Sequence, residues 1–266
     1  DIEVGTKQST TQYYIPTYTY YHKSLTQQIY TPEEIGTAGT INAVSFYVYS
    51  NVSSGDGRQR LISVYMANTS KNYFSSNTDF VTLDPTENLV FTEKTVTFTS
   101  NSLVTLTLDT PFEYDGTSNL LICVTDNSTN YCSSPSYAMK TYTYPDPNGS
   151  YRTIREFRDN NSFDVANPID GSATRGYATY KNYIILNMDL GPAEIVADVD
   201  VMELGERPNN AYMRPGTFTL TNVGFKEGTI TGIESDNEYF TINAEFPIYL
   251  ALNASVDIEV STGAAD

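Results

Sequence analysis

The stretch INAVSFYVYS, residues 41–50, alternates buried-type and surface-type side chains with a period of two. Successive side chains of a β-strand point to opposite faces, so this period predicts a strand. The same alternation recurs in RLISVYMA (60–67), LVTLTL (103–108), NLLICVTD (119–126) and YATYKNYIILNM (177–188). Together these stretches predict an all-β fold.

Turn signals separate the predicted strands. They are SSGDG (53–57), YDG (114–116), PDPNG (145–149) and DGSA (170–173), all rich in residues that bend the chain or tolerate positive φ. About eight or more strands before residue 190, with hardly any helical pattern, predict a sandwich of two sheets.

One segment, TPEEIGTAG (31–39), has the pattern of a helix. Thr31 is its candidate N-cap, and Pro32 stands at the first helical position. Gly36 or Gly39 is expected to end it, so the helix has one or two turns at most.

A domain junction is predicted at the Leu-Gly-Pro sequence of residues 190–192. The first module is then residues 1–190. Residues 191–266 contain short strands at close spacing, which is typical of an immunoglobulin-like sandwich. Because roughly 75 residues are fewer than the about 100 of that fold, we expect this module to be truncated and the chain to be part of a longer protein.

The charge of the chain is strongly acidic: 32 Asp and Glu against 15 Lys and Arg give a net charge of −17. Such a charge repels phosphate backbones and anionic lipid headgroups, so nucleic acid is not an expected partner. Direct membrane insertion is not expected either, because no segment has the roughly 18 consecutive apolar residues of a membrane span. The acidity suits a secreted, extracellular protein, exported by a leader that this sequence does not include.

The two cysteines, Cys123 and Cys132, lie in the stretch CVTDNSTNYC. A hairpin with its turn at Asn127 and Ser128 would place them opposite each other on adjacent strands. The sequence therefore predicts a disulfide, with two free thiols as the alternative. A bridge would agree with an oxidising compartment.

Tyrosine is abundant, with 22 residues and no tryptophan. In YYIPTYTYYH and YAMKTYTYPD, an i and i+2 spacing predicts that Tyr18 and Tyr20, and likewise Tyr142 and Tyr144, share a strand face. Exposed rings of this kind stack on sugars. We expect ligand contacts from Tyr142 and Tyr144 first, with the PDPNG loop as a rim, and the alternative is that all these rings pack the core.

Acid-rich loops offer oxygen ligands for calcium. In DNNSFD, the residues Asp159, Asn161 and Asp164 alternate as such ligands do. The loop lacks EF-hand spacing, so it predicts either one structural calcium ion or plain turns.

No catalytic residues are predicted. His22 is the only histidine, and the chain contains no nucleophile elbow, HExxH, P-loop or GxGxxG motif. A glycosidase needs only two suitably spaced carboxylates, for which Asp126, Glu156 and Asp159 are among the candidates, but nothing in the sequence pairs them. The chain is therefore expected not to be an enzyme.

Three motifs in order, QQIYTPEEIGTAGTI, VYMANT and TPFEYDGTSNLLI, resemble the jelly-roll module of secreted adhesin-like proteins of Gram-negative anaerobes, the cleaved-adhesin type found in haemagglutinins. Residues 193–266, with ELGE, TFTLTNVG and ITGIES, are similar to the immunoglobulin-like repeat of the abnormal-spindle, SPD-2 and hydin type. The resemblance implies a jelly roll followed by a spacer, and it implies adhesion or glycan binding, often with structural calcium.

The function expected from these patterns is that of a non-catalytic adhesion module in a multi-modular bacterial surface protein. Its partners would be a glycan or a host glycoprotein, together with further modules of the same polypeptide. The alternatives are a purely structural spacer and an accessory carbohydrate-binding module of a secreted enzyme.

Overall fold

The computed structural model describes residues 1–6, 11–12, 14–49, 59–131, 139–143, 149–169, 171–202, 204, 214–251 and 253–262. It confirms the all-β class, since strands are almost the only regular structure in this part of the chain and its helix is a single turn. The chain divides into two compact units, Asp1–Asp189 and Leu190–Asp266, one residue away from the predicted junction. The jelly-roll and immunoglobulin-like assignments of these units remain predictions.

The first unit consists of antiparallel strands and one helical turn. In chain order its elements are β1 (Ile2–Val4), β2 (Thr11–Gln12), β3 (Lys23–Tyr30), α1 (Pro32–Ile35), β4 (Gly39–Val48), β5 (Gln59–Thr69), β6 (Leu89–Thr97), β7 (Ser102–Tyr114), β8 (Asn119–Asp126), β9 (Met139–Thr143), β10 (Thr153–Arg158), β11 (Thr174–Ala178), β12 (Tyr180–Asn182) and β13 (Ile184–Asp189). Within the described residues, β11-β10-β3-β8-β5-β6 form a six-stranded sheet. A seven-stranded sheet has the order β1-β13-β4-β9-β12, with β7 also paired to β4 and β2 to β9.

The main hydrophobic core contains side chains from both sheets. Val44 and Phe46 come from β4 of the seven-stranded sheet, whereas Ile62, Val64 and Ile122 come from β5 and β8 of the six-stranded sheet. Because the two sheets share one buried cluster, the first unit is a β-sandwich.

A second buried cluster covers part of the six-stranded sheet on its other face. Leu25, Leu121 and Ile154 project into it from β3, β8 and β10, and Phe74 and Phe163 enter it from connecting segments. Every residue of β8 is consequently buried. A strand covered on both faces has no exposed side, which is why NLLICVTD is so apolar.

The helical prediction is confirmed by α1. The backbone N–H of Thr31 donates to Glu34 Oε2 at 2.8 Å, and Gly36 ends the turn with a left-handed φ of 79°. This single turn places the Glu34 side chain in the interior of the sandwich, where it is almost fully buried.

The prediction of one strand over residues 177–188 is wrong. This stretch contains the end of β11, all of β12 and most of β13. β11 belongs to the six-stranded sheet, whereas β12 and β13 belong to the seven-stranded one. Local alternation does not reveal where the chain changes sheets, because the successive residues Lys181 and Asn182 of β12 are both buried.

The second unit is smaller. Its strands are β14 (Ile195–Ala197), β15 (Gly216–Asn222), β16 (Gly228–Ile230), β17 (Phe240–Asn243), β18 (Ile248–Leu250) and β19 (Ser255–Thr262). β14-β15-β19-β17 form one sheet, and β16 pairs with β18. The buried side-chain amide of Asn222 donates to the carbonyl oxygens of Lys226 and Leu250 at 2.7 and 3.0 Å, which ties β15 to β18.

No helix in the described part of the chain has the length and apolar character needed to cross a membrane.

Candidate functional site

Five aromatic rings gather where the chain enters β3 and leaves β10. We call this group the tyrosine cluster: Tyr14, Tyr18, Tyr20, Tyr21 and Phe157. The Tyr18 ring is central, with its centroid 4.8 Å from that of Tyr14, 5.9 Å from Tyr20, 5.8 Å from Tyr21 and 4.9 Å from Phe157. Tyr18 and Tyr20 do share a surface, but residues 19–22 form turns and bends and none of residues 14–22 lies in a strand, so the predicted strand there is wrong.

The cluster has a buried base and an exposed rim. Phe157 is buried, Tyr18 and Tyr21 are half-buried, and Tyr14 and Tyr20 are 37% and 45% exposed. Burial raises the pKa of Tyr18, and the neighbouring tyrosines raise it further, so its hydroxyl stays protonated at neutral pH. The rim therefore offers apolar ring surface next to hydroxyl groups.

A fully buried ion pair holds the segment that carries the cluster. The Arg60 guanidinium lies 2.6 Å from Asp126 Oδ2, and neither side chain is accessible to solvent. The same guanidinium donates to the carbonyl oxygens of Tyr21 and His22 at 2.9 and 3.1 Å. Ser128 donates to Asp126 Oδ1 from both its backbone N–H and its hydroxyl. Every partner is thus hydrogen-bonded, which makes this a rigid support.

A polar cleft of about 470 Å³ adjoins the cluster. It is lined by Tyr21, Phe157, Arg158, Asp159, Asn160, Asn161, Gly171, Ser172, Ala173 and Thr174. Two groups that the sequence predicted separately, the tyrosines and the acid-rich loop, therefore lie side by side. Together they form an aromatic surface bordered by carboxylate, amide and hydroxyl groups.

His22 connects the two parts of this site. Its backbone N–H and its ring Nδ1 lie 3.3 and 3.1 Å from Asp159 Oδ1. Its ring also meets that of Tyr131 edge-on, with centroids 4.8 Å apart. His22 thus holds Asp159 at the rim of the cleft, a positioning role.

The predicted calcium ligands Asp159, Asn161 and Asp164 each have an oxygen atom in a hydrogen bond with another residue of the protein. The Arg158 guanidinium donates to the carbonyl oxygens of Asn161 and Ser162 at 2.9 and 2.6 Å. Asp164 Oδ1 accepts the backbone N–H of Ala166 at 2.9 Å, as in a plain turn. Among the described residues, no group of three or more His, Cys, Asp or Glu is placed to hold a metal ion. Calcium stays a prediction.

The prediction that Tyr142 lies on an exposed binding face is wrong. Tyr142 is 5% exposed, and its hydroxyl donates to Glu34 Oε1 at 2.6 Å. Its ring lies against Gly5, where an added Cβ would overlap Tyr142 Cε1. Tyr142 therefore belongs to the core. Tyr144, its predicted partner, lies outside the described residues, as do residues 145–148 of the PDPNG loop.

We expect Tyr142→Phe to lower the free energy of unfolding by about 1–3 kcal/mol, because Glu34 loses a buried hydrogen-bond donor. Ligand binding should not change. Chemical denaturation followed by circular dichroism measures the effect, with the exposed Tyr249→Phe as control. If the substitution left stability unchanged but abolished ligand binding, Tyr142 would be a ligand contact and not a core residue.

The predicted hairpin around Cys123 and Cys132 is also wrong. β8 is paired on both sides, since Cys123 lies opposite Gln27 of β3 and Tyr65 of β5. No edge is left for a returning strand. Cys123 is a buried free thiol, and burial raises its pKa to about 12. Cys132 lies outside the described residues. The hairpin that would have aligned the two cysteines is absent, because both edges of β8 are already paired.

Two of the acids considered for a glycosidase are committed to buried ion pairs. Asp126 binds Arg60, and Glu156 Oε2 lies 2.7 Å from Arg175 Nε. Both carboxylates are fully buried. Neither can contact a sugar.

Sequence reasoning missed several residues that build the site. Tyr14 and Tyr21 stand in the same YYIPTYTYYH run as Tyr18 and Tyr20, so the run as a whole was the usable signal. Phe157 and Arg60 carried no local signal. Their roles depend on which strands lie next to the tyrosine-bearing segment.

The chain was compared with protein-family models, with curated proteins and with solved structures, and none of them matches. A proposal for its function therefore depends on the residues of the site. Of these, the tyrosine cluster and its cleft are the most informative.

Proposed function

We propose that the chain is a non-catalytic glycan-binding module of a secreted, multi-modular bacterial surface protein. In this proposal the first unit is a jelly-roll adhesin-like module that binds a glycan or a host glycoprotein. The second unit is an immunoglobulin-like spacer that leads to further modules of the same polypeptide.

The observation that carries the proposal is the pairing of exposed tyrosine rings with a polar cleft. The faces of Tyr14 and Tyr20 offer apolar surface to the C–H face of a sugar ring. Tyr21, which contacts the Tyr20 ring, lines the adjoining cleft, where Asn160, Asn161 and Ser172 offer amide and hydroxyl groups for the sugar hydroxyls. This is the chemistry that an amphipathic sugar requires.

The rigidity of the site supports the same proposal. The rings are packed against one another, and Arg60 fixes the backbone at Tyr21 and His22. Little conformational entropy is then lost on binding, which favours affinity from a small contact area. Display of many copies on a cell surface would multiply a weak individual contact into strong adhesion.

A glycan and mucin array tests the proposal directly. We expect the full chain to bind a subset of glycans. Tyr14→Ala/Tyr20→Ala should reduce that binding at least tenfold, because it removes the exposed aromatic rings on which a sugar would stack. The matched control is Tyr239→Ala/Tyr249→Ala, which removes two exposed tyrosines of the second unit. Running the array with calcium and with a chelator tests the calcium prediction in the same experiment.

The contrary results are equally informative. Binding that survives in Tyr14→Ala/Tyr20→Ala would place the glycan site elsewhere on the chain. Absence of binding to every glycan and mucin would overturn the proposal in favour of a purely structural spacer.

A further inference from the structure

A second aromatic cleft lies near the start of β10, at the end opposite the tyrosine cluster. We call it the Tyr73–Tyr151 cleft. It has a volume of about 410 Å³ and is lined by Tyr73, Phe74, Ser75, Gly149, Ser150 and Tyr151. The two tyrosine side chains are 53% and 39% exposed. None of these residues takes part in the site described above.

The two tyrosine-bearing segments are fastened to each other. The backbone N–H of Phe74 donates to the carbonyl oxygen of Tyr151 at 2.8 Å, and the Phe74 side chain is fully buried in the second cluster. On the far side, the Tyr177 ring of β11 packs edge-on against Tyr151, with centroids 4.0 Å apart. The walls of the cleft are therefore held in place before any ligand arrives.

The loop that carries Tyr73 is itself braced. Asp79 Oδ2 accepts hydrogen bonds from the backbone N–H and the hydroxyl of Ser75, both at 2.8 Å. Lys71 Nζ lies 2.7 Å from Asp79 Oδ1. Preorganised aromatic walls of this kind reduce the entropy cost of binding.

The chemistry of the cleft is neutral. All six lining residues that the structure describes are uncharged, although the whole chain has a net charge of −17. Two exposed rings supply apolar surface, and two serines supply hydroxyl groups. A charged ligand would lack a counter-ion among these lining residues, whereas an uncharged sugar ring finds both an apolar surface and hydrogen-bonding groups.

We propose that the Tyr73–Tyr151 cleft is a second sugar site, selective for uncharged sugar units. This inference rests on the proposed glycan-binding function and extends it to a two-site ligand. β10 separates the two sites, and its six residues span roughly 20 Å at about 3.3 Å per residue. A neutral polysaccharide therefore contacts both sites of one protein molecule, or the two sites bind two separate polysaccharide molecules.

Gel electrophoresis through native gels that contain soluble neutral polysaccharides is the test. We expect retardation of the full chain, and at least a tenfold weaker affinity in Tyr73→Ala/Tyr151→Ala, because the second contact and its avidity are lost. Tyr239→Ala/Tyr249→Ala is the control for loss of exposed tyrosine. Circular dichroism checks that each variant is folded, which we expect because all four side chains are exposed.

A second measurement assigns the site. Chemical shifts of ring-labelled tyrosines, recorded with a short oligosaccharide from the same polysaccharide, should move for Tyr73 and Tyr151. A polyuronate of similar length should not shift these two residues, because none of the described residues that line the cleft is a cation.

The outcomes separate the two proposals. Retardation that Tyr73→Ala/Tyr151→Ala leaves unchanged, but Tyr14→Ala/Tyr20→Ala abolishes, overturns the second site and supports the first. The reverse pattern supports the second site and overturns the tyrosine cluster as a binding surface. Absence of retardation in every neutral polysaccharide overturns the second site, while the array decides the proposed function separately.

Discussion

Replacing Asp126 with alanine is expected to lower the free energy of unfolding of the first unit by about 3–5 kcal/mol. The substitution leaves the Arg60 guanidinium fully buried without its carboxylate, and a buried charge that loses its partner is far costlier than an exposed one. Whole domains are stable by only about 5–15 kcal/mol, so this one change removes a large part of the total.

Urea denaturation followed by near-ultraviolet circular dichroism measures the effect. The signal reports on the first unit, because all of the 22 tyrosines except Tyr212, Tyr239 and Tyr249 precede residue 190. The exposed acid Asp159 provides the control, since Asp159→Ala should cost less than about 1 kcal/mol. A loss of similar size in the two variants would contradict a special role for the buried pair.

A double variant separates charge from packing. Arg60→Met/Asp126→Leu removes both charges together, so we expect it to recover most of the stability that Asp126→Ala loses. It also removes the guanidinium that binds the carbonyl oxygens of Tyr21 and His22. We therefore expect weaker glycan binding by a stable protein, which would show that Arg60 positions the tyrosine cluster.

The second large effect concerns Lys181, whose contribution to stability should rise between pH 7 and pH 9.5. Lys181 is buried, with its Nζ 2.5 Å from Glu34 Oε2 and 2.7 Å from the carbonyl oxygen of Ile29. Burial lowers its pKa to about 8, and the Glu34 carboxylate only partly opposes that shift. In the unfolded chain the lysine keeps its ordinary value of about 10.5.

The sign of the effect follows from proton counting. Between pH 8 and pH 10.5 the unfolded state holds a proton that the folded state has released, so stability increases with pH in this window. At about 1.4 kcal/mol per pKa unit, the gain from pH 7 to pH 9.5 is about 2 kcal/mol.

The measurement compares the protein with Lys181→Met at several pH values. Subtracting the two unfolding free energies cancels the titration of the tyrosines, several of which have a raised pKa, such as Tyr114 and Tyr183 at about 12. We expect the difference to shift in favour of the unsubstituted chain as the pH rises. A constant difference would mean that Lys181 keeps its ordinary pKa. Lys226→Met, which changes a lysine of the second unit, is the control.

Lys181 also shows why the buried polar contacts of the sandwich could not be predicted from the sequence. The sequence YATYKNYIILNM predicts one regular strand, yet Lys181 and Asn182 are fully buried where the chain changes sheets. Asn182 exchanges hydrogen bonds with the Gln28 side chain at 2.7 and 2.8 Å. These polar partners lie about 150 residues apart in the sequence, so local periodicity contains no information about them.

Local sequence also does not distinguish the exposed tyrosines from the buried ones. Tyr18 and Tyr142 have the same spacing to a second tyrosine and the same kind of neighbours in the sequence. Tyr18 belongs to a half-exposed cluster, whereas Tyr142 is buried against Gly5 and Glu34. What separates them is the segment that covers each ring.

The sequence by itself determined the all-β class, the positions of most strands and the single helical turn between Thr31 and Gly36. These features depend on side-chain alternation, turn residues and a local cap, all of which act over a few neighbouring residues. Only the tertiary structure decided that Cys123 lies on a strand paired on both sides, that Asp126 supports the tyrosine cluster through Arg60, and which tyrosines face solvent. Those outcomes depend on strand order and on the segments that cover each sheet, because burial is a property of what packs against a residue and not of its neighbours along the chain.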